Sequence, residues 1–418
     1  MSRQIISTAV GKSIRSIARL RGGGSALPGL VVEKIDPKFI KRTLNQLPLG
    51  VVIISGTNGK TTTTKIVVEL LASAGLKVFT NPTGSNFSRG VVASLISEVN
   101  LRGELDADIA VLELDEAWAV RFVQIVKPRY SLLLNVMRDQ LDRFGEIDKV
   151  AGMLEKIAQA TDDTVVLNQD DPRVRSIAQQ ISARSAFFGT TPELLSLMPT
   201  DDDLKSPQVI KNDFNKKPNV SLESVAEQTA TYRIEGRNYT TETKLSGIYN
   251  QLNASASLAL VLQIVPDTDI TQLISALSEI TPAFGRGEVI TIDDQPVELV
   301  LVKNPSGFRL AIQSFAKDDS INMVAINDNY ADGRDVSWLW DVDFTDLKSV
   351  DVVTGSRAYD MALRLGYDEV AIGLVENDLA VALDHFLSNN PSKPKRIYCT
   401  YTAMLSLRKL LLKKRGSN

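Results

Sequence analysis

Four β-branched residues, Val51-Val52-Ile53-Ile54, run straight into Ser55-Gly56-Thr57-Asn58-Gly59-Lys60-Thr61-Thr62, and the residues that follow, 61–74, read as a helix. A strand, a glycine-bracketed turn and a helix in that order gather backbone amides at a helix N-terminus, where they and the helix dipole favour an anion. The glycines let the main chain approach phosphates closely. Gly56, Thr57, Asn58, Gly59, Lys60, Thr61 and Thr62 are therefore candidate nucleotide-binding residues. Lys60 is expected to reach the β- and γ-phosphates, and Thr61 to offer its hydroxyl to Mg²⁺. The loop has two residues between its glycines, fewer than the common phosphate-loop pattern. No Gly-x-Gly-x-x-Gly follows a strand, which argues against a dinucleotide fold.

The pattern around this loop alternates apolar strands with amphipathic helices. Residues 77–80, 109–113, 131–135 and 164–168 read as further strands, so a mainly parallel sheet covered on both faces is expected. Residues 190–230 are polar and are expected to be an irregular insertion, followed by a strand near Tyr232 and a helix beginning near Asn250. Residues 282–287 read as a linker. Beyond it, 297–302, 323–327, 350–354 and 369–372 read as strands of a smaller C-terminal α/β domain. The expected organisation is an N-terminal basic helix and linker (1–44), a central ATP-binding domain (45–284) and a C-terminal domain (285–418), within the domain number that 418 residues suggest.

Glu113-Leu114-Asp115-Glu116 closes a predicted strand, at the edge where open α/β sheets bind ligands. Mg²⁺ prefers oxygen donors. Glu113 and Asp115 share one side if the strand continues, so they join Thr61 as candidate metal ligands; a solvated acidic turn is the plain alternative.

Composition narrows the chemistry. A balance of 47 basic against 50 acidic residues, with no recognition motif, argues against nucleic-acid binding. No apolar run reaches the length of a membrane span. Residues 1–21 carry five basic and no acidic side chains at near-helical apolar spacing, leaving two roles open: packing on the body, or peripheral contact with an anionic membrane. With one cysteine, Cys399, and one histidine, His385, multi-cysteine metal sites are excluded and no zinc is expected. Both residues lie in apolar surroundings, which disfavours a catalytic Cys–His pair.

Five ordered motifs resemble the Mur ligase superfamily. They are the short loop at 56–61; Asn135-Val-Met-Arg-Asp-Gln-Leu-Asp142, with Gln140 where many members have a metal-binding His; Leu167-Asn168-Gln169-Asp170-Asp171-Pro172; Gly247-Ile-Tyr-Asn250-Gln-Leu-Asn253-Ala254; and Gly285-Arg286-Gly-Glu288. Within the superfamily, Asp115-Glu116-Ala117, the run 138–146, the segment Asn327 to Trp338, Gly22 to Gly29 and Tyr401-Thr402-Ala403 resemble the MurT branch. The resemblance implies a Mur ligase-type α/β fold without the usual nucleotide-sugar-binding N-terminal domain, and nucleotide contacts from Asn168, Asp171 and Asn250. Lys303 and Asn304 start a segment similar to one that contacts ATP or product. Arg286 is a candidate for phosphate or adenine, or for an ordinary interdomain ion pair. Relatives commonly carry a four-cysteine zinc ribbon, which this chain cannot build.

The activity implied is ATP-dependent amidation of the D-glutamate α-carboxylate in the stem peptide of lipid II, through an acyl phosphate. The ammonia comes from a separate GatD-type glutaminase. Work in the cytoplasm, at the inner face of the membrane, is expected. The segment 332–343 holds four aspartates interleaved with Trp338, Trp340 and Val342. An ionised aspartate can hold ammonium or take its proton. Asp335 is the first candidate, with Asp332 and Asp341 as alternates; capping of a turn is the plain alternative. Two other functions compete: an amino-acid-adding ligase of the same superfamily, and a non-catalytic ATP-binding scaffold.

Overall fold

The computed structural model describes residues 3–20, 27–81, 88–137, 147–198, 217–226, 228–245, 247–282, 286–315, 319–390 and 392–415. The first sheet has nine strands: β1 (Val51–Ser55), β2 (Val78–Thr80), β3 (Ile109–Glu113), β4 (Tyr130–Leu133), β5 (Thr164–Asn168), β6 (Arg184–Thr190), β7 (Val220–Ala226), β8 (Thr229–Ile234) and β9 (Arg237–Glu242). Their spatial order is β2-β3-β1-β4-β5-β6-β7-β8-β9. The pairings from β2 through β7 are parallel, and β8 and β9 close the sheet as antiparallel strands.

Alternation explains why β1 is apolar throughout. Val51 and Ile53 enter the core on one face, with Leu112, Leu133 and Leu167. Val52 and Ile54 enter the core on the other, with Val111, Leu132 and Val166, under the helices Lys60–Ser73 and Ile248–Ile264. A parallel strand buried on both faces has no solvent side and so no polar alternation. The chain leaves β1 toward β2 and β3 and returns on the other side with β4. The gap between β1 and β4 is therefore a topological switch point, where doubly wound sheets hold ligands beyond the strand ends.

A second sheet has the order β10-β11-β15-β12-β13-β14, from β10 (Arg286–Ile292), β11 (Gln295–Leu301), β12 (Ile321–Ala325), β13 (Ser349–Thr354), β14 (Ala371–Glu376) and β15 (Lys395–Cys399). Only β10 is antiparallel to its neighbour in this sheet. The C-terminal ends of β11, β15, β12 and β13 therefore lie along one edge.

Three expectations need correction. Within 190–230 the described residues include a helix at Pro192–Leu195, then β7, with β8 opening at Thr229, so the irregular insertion does not span the whole segment; 199–216 and 227 lie outside the described residues. Val220, Leu222, Ala230 and Tyr232 alternate inward, while Ser224, Thr229 and Arg233 are exposed. Strand β14 begins at Ala371 rather than Glu369, because Glu369 turns at a φ of 57°. Strand β3 stops at Glu113, so Asp115 does not continue it.

The helix Arg3–Leu20 packs on the helices Leu27–Ile35 and Ser88–Glu98, with Ser7, Thr8 and Gly11 buried and Ile6 and Ile17 exposed. Gln4 Nε2 donates to Gly103 O at 2.9 Å, and Ser7 Oγ to Asp36 Oδ2 at 3.0 Å. Among the described residues no helix is long and apolar enough to cross a membrane.

Candidate nucleotide and ligase site

The loop after β1 lies at the switch point, where β4 holds it from the side. Asn58 N donates to Asn135 Oδ1 at 2.9 Å, and Asn135 Nδ2 donates back to Asn58 O at 3.1 Å. Thr57 N donates to Asn135 O at 3.0 Å, and Met137 N to Thr57 Oγ1 at 3.0 Å. Both glycines are sterically required. Gly56 has a φ of 132°, and Gly59, at a φ of 89°, opens the helix Lys60–Ser73. A Cβ on Gly59 would lie 2.4 Å from Asn253 Oδ1, an overlap that backbone and buried amide cannot relieve.

Lys60 is buried. Its ammonium donates to Gly56 O, to Thr57 O at 3.3 Å, and to Glu116 Oε1 at 3.2 Å. Burial opposes the charge on Glu116. Lys60, the Glu116 amide and Lys303 together outweigh it and hold that carboxyl below its usual value. Next along the helix, Thr61 Oγ1 donates to Glu113 Oε1 at 2.8 Å. Glu113 is fixed at the strand end by Asn81, whose Oδ1 accepts from Glu113 N at 3.0 Å and whose Nδ2 donates to Glu113 O at 2.9 Å. Two buried oxygens this close, beside a phosphate loop, suit a hard divalent cation. Asp115, in contrast, is the N-cap of the helix Glu116–Phe122 and accepts from Ala117 N at 3.3 Å. The residue after a strand end is free to turn, and an aspartate there caps readily.

The C-terminal unit meets the loop through the turn after β11. Lys303 Nζ donates to Thr57 O at 3.2 Å, and Asn304 Nδ2 to Asn58 Oδ1 at 3.0 Å. Between the units lies a cleft lined by Asn58, Gly59, Thr62, Asn250, Asn253 and Lys303, among others. Asn168 and Asp171 stand behind the β4 turn. Asn168 Nδ2 donates to Leu134 O at 2.8 Å, and its Oδ1 accepts from Asp170 N at 2.9 Å. Asp171 accepts from Val136 N at 2.7 Å and caps the helix Pro172–Ser176 through Arg173 N and Val174 N. The contacts that Asn168 and Asp171 make here shape the Asn135 turn.

The aspartates at 332–343 separate into different settings. Asp332 is buried in the loop after β12, where it accepts from Thr402 N at 2.7 Å, Thr402 Oγ1 at 2.5 Å and Asn329 N at 3.1 Å. Burial raises its pKa, against those donors. Asp335 is exposed and accepts from Ser337 N at 2.8 Å at the start of the turn Ser337–Asp341; hydrogen bonds from Ser337 hold its carboxyl below the usual range. Asp341 is exposed at the end of that turn. All three follow β12, two strands along the edge from Lys303 and Asn304. The Arg286 side chain and the motif segment 138–146 lie outside the described residues.

Glu116, Asn135, Asn253 and Asn81 were not picked out as site residues from sequence. The first three stand inside quoted motifs. A carboxylate at the first position of the helix after β3, and an amide just past the end of the strand beside β1, are signals that spacing could have supplied. Asn81 carries none. Cys399 is wholly buried in β15, with its thiol pKa pushed up by that burial and by Asp332.

Residues 54–261 match the family model of the Mur ligase middle domain, and residues 301–404 that of the MurT ligase C-terminal domain. The chain is 30% identical to the Streptococcus pneumoniae lipid II isoglutaminyl synthase (glutamine-hydrolyzing) subunit MurT, over 96% of this chain and 95% of that protein. It is 26% identical to the MurT subunit of Staphylococcus aureus strain COL, over 90% and 91%. Its fold is also that of the MurF ligase from Thermotoga maritima, solved in complex with ADP, with a TM-score of 0.65 at 17% identity over 91% of this chain and 84% of that one. With whole-length similarity and both parts matched in order, the chain belongs to the MurT family of Mur ligases.

Proposed function

We propose that the chain is the ATP-dependent ligase subunit that amidates the D-glutamate α-carboxylate in the stem peptide of lipid II, giving D-isoglutamine. The observation that carries this reading is the buried set Lys60, Glu116, Thr61 and Glu113 at the switch point, with Lys303 and Asn304 of the second unit docked on the same loop. The two names borne by the similar subunits supply the substrate class.

A carboxylate is a poor acyl donor because its oxygen leaves badly. In the first step a carboxylate oxygen attacks the γ-phosphorus of ATP and the bond to ADP breaks. The amides of Gly59 and Lys60, at the helix N-terminus, and the Lys60 ammonium would take up charge on the transferring group. Thr61 and Glu113 would hold Mg²⁺, which supplies charge neutralisation on the phosphates. In the second step ammonia attacks the acyl carbon, phosphate leaves and one N–H proton must be taken up. Asp335, kept ionised by Ser337, is the candidate to bind ammonium and accept that proton, with Asp332 and Asp341 as alternates. A GatD-type glutaminase subunit supplies the ammonia.

The deciding experiment follows amidation of lipid II with ATP, Mg²⁺ and ammonium for the wild type and for Asp335→Asn. Wild-type turnover with ADP release, and a variant that still binds ATP but no longer amidates, is the expected result. Absence of ATP-dependent amidation in the wild type, with ammonium or with glutamine and the glutaminase, overturns the reading.

A further inference from the structure

Charge is unevenly spread along the chain. Residues 1–44 hold nine basic and two acidic side chains, a net of +7 in a chain whose total is −3. Both acids are engaged: Asp36 pairs with Arg42 at 2.5 Å, and Glu33 with Arg89 at 3.7 Å. Lys34, Lys38 and Lys41 are exposed. One concentrated basic segment on a chain that is acidic elsewhere calls for an anionic partner at that segment.

Apolar exposure gathers at the same place. Ahead of residue 285 the described residues include six exposed large apolar side chains, and four of them lie on this segment or beside it: Ile6, Ile17 and Leu27, at 48%, 52% and 50%, and Leu101, at 67%. Ile6 and Ile17 are eleven residues apart, close to three helical turns, so they share one side of the helix Arg3–Leu20 about 16 Å from each other. Ala9 and Ser13 are exposed between them. Leu101 sits two residues before Gly103, whose carbonyl accepts from Gln4 at the start of that helix. Leu27 opens the helix Leu27–Ile35 on the side that Lys34 shares two turns later. The inner sides are packed too closely for these residues to turn inward. A Cβ on Gly11 would lie 2.8 Å from Val32, and one on Gly29 would lie 2.1 Å from Arg89 O.

Position and substrate supply the occupant. Asn81, just past β2, fixes Glu113 in the phosphate site, and the next described helix, Ser88–Glu98, opens beside Arg89. A helix that follows a parallel strand starts at the edge where the strands end, so the contact of Gly29 with Arg89 lies toward the ligand edge of the first sheet. The similar subunits are named for lipid II, and an acceptor that carries a lipid is held in a membrane. A few exposed apolar side chains hold a bilayer weakly on their own; cations beside them add attraction to anionic headgroups.

We propose that the outer face of the helices Arg3–Leu20 and Leu27–Ile35, with Ile6, Ile17, Leu27 and Lys34, is a docking surface for an anionic lipid bilayer. The proposal rests on the amidation reading for its lipid-borne substrate and can fail independently of it. The chain is mixed with vesicles of phosphatidylglycerol and phosphatidylcholine in equal parts, and with vesicles of phosphatidylcholine alone, and the bound fraction is measured by flotation. One variant combines Ile6→Glu with Ile17→Glu, and a second combines Lys34→Glu with Lys38→Glu, all at exposed positions. Ile125→Glu, at an exposed apolar position outside the segment, is the control. Amidation with ATP and ammonium is followed on lipid II in the anionic vesicles and on lipid II dispersed in detergent.

Wild type should bind the anionic vesicles at least about tenfold more tightly than the neutral ones, and raised salt should release it. The isoleucine variant should lose about tenfold in affinity, the lysine variant about thirtyfold, and Ile125→Glu nothing. Both double variants should show a raised KM on vesicles and stay within about twofold of wild type in detergent. Equally weak binding of wild type to both kinds of vesicle overturns the proposal. So does anionic binding that both double variants retain, or a wild-type chain that ignores vesicles and forms dimers that the isoleucine variant breaks. If wild type amidates neither form of lipid II, the amidation reading falls, and flotation still decides the membrane surface.

Discussion

Asn304 and Asn58 face each other across the two units, with Asn304 Nδ2 donating to Asn58 Oδ1 at 3.0 Å and Asn58 Nδ2 donating to Asn304 Oδ1 at 3.4 Å. Asn304 Oδ1 also accepts from Gly307 N at 2.8 Å, at the start of the helix Pro305–Phe315. One amide therefore does two jobs that substitution can separate. Asn304→Asp keeps an acceptor for Gly307 but loses the donor to the loop. It should fold with wild-type stability while kcat/KM for ATP falls about tenfold, the scale of one hydrogen bond in a partly buried site. Asn304→Ala should lose that and about 1 kcal/mol of stability as well. Equal activity of the aspartate variant and the wild type would show that the cross-unit amide pair is idle.

Lys60 and Glu116 form a buried ion pair that substitution should reveal as coupled. Lys60→Met removes the cation that Glu116 needs and should lower ATP turnover by about 10²–10³-fold, as for loss of one preorganised electrostatic contact. It should also destabilise the fold by about 3 kcal/mol, because a carboxylate is left buried. Adding Glu116→Gln removes that stranded charge. The double variant should recover much of the stability and none of the turnover. Denaturant titration of the four proteins gives the coupling energy directly; additive losses would refute the pairing.

The site was legible in the sequence wherever chemistry and local geometry coincide. Gly56, Gly59, Lys60 and Thr61 follow from a strand, a tight turn and a helix start, all fixed within eight residues. Glu113 follows from its place at a strand end. Asp115 did not fall beside Glu113 as read, because alternation holds only while the strand lasts, and the chain turns after Glu113 so that Asp115 caps the next helix. Asn81, which bonds both backbone groups of Glu113, comes from another strand end, and sequence spacing carries no trace of such a contact. The partner role of Glu116 was hidden for the same reason, since its ion pair spans 56 residues. In the second unit the strands from β11 onward were legible from their apolar runs, whereas β10 was not, because it opens at Arg286 inside the segment read as a linker. The contrast between buried Asp332 and exposed Asp335 depends on Thr402, which arrives 70 residues later.

The pair Thr61 and Glu113 yields a metal prediction. If these oxygens hold Mg²⁺, Glu113→Gln removes the charge but preserves shape, so the variant should need more than about tenfold higher Mg²⁺ for half-maximal ATP turnover. Thr61→Ser should stay near wild type, because it retains the hydroxyl. Titrating Mg²⁺ at saturating ATP measures both. An unchanged Mg²⁺ requirement in Glu113→Gln would place the ion on other ligands.

Asp170 sets a pH dependence of stability. Its carboxyl lies behind the site, with Oδ2 accepting from Thr190 N at 2.7 Å and Gly189 close against it. Burial is the largest influence and raises its pKa from 3.8 to about 7; Thr190 and Arg175 lower it, and Asp171 raises it further. The folded chain thus keeps a proton that the unfolded chain releases. Stability from this group should fall as pH rises from about 4 to about 7 and level off above, because the native state binds more protons throughout that window. Glu116 acts in the opposite sense at lower pH, since its folded pKa is depressed and its contribution is lost on acidification. Asp170→Asn keeps an oxygen for Thr190 but has no proton to lose. Its unfolding free energy should lack the decline between pH 5 and 7, and at pH 8 it should exceed that of wild type by up to a few kcal/mol. Urea titrations at four pH values test this, and parallel curves for variant and wild type would remove Asp170 as the cause.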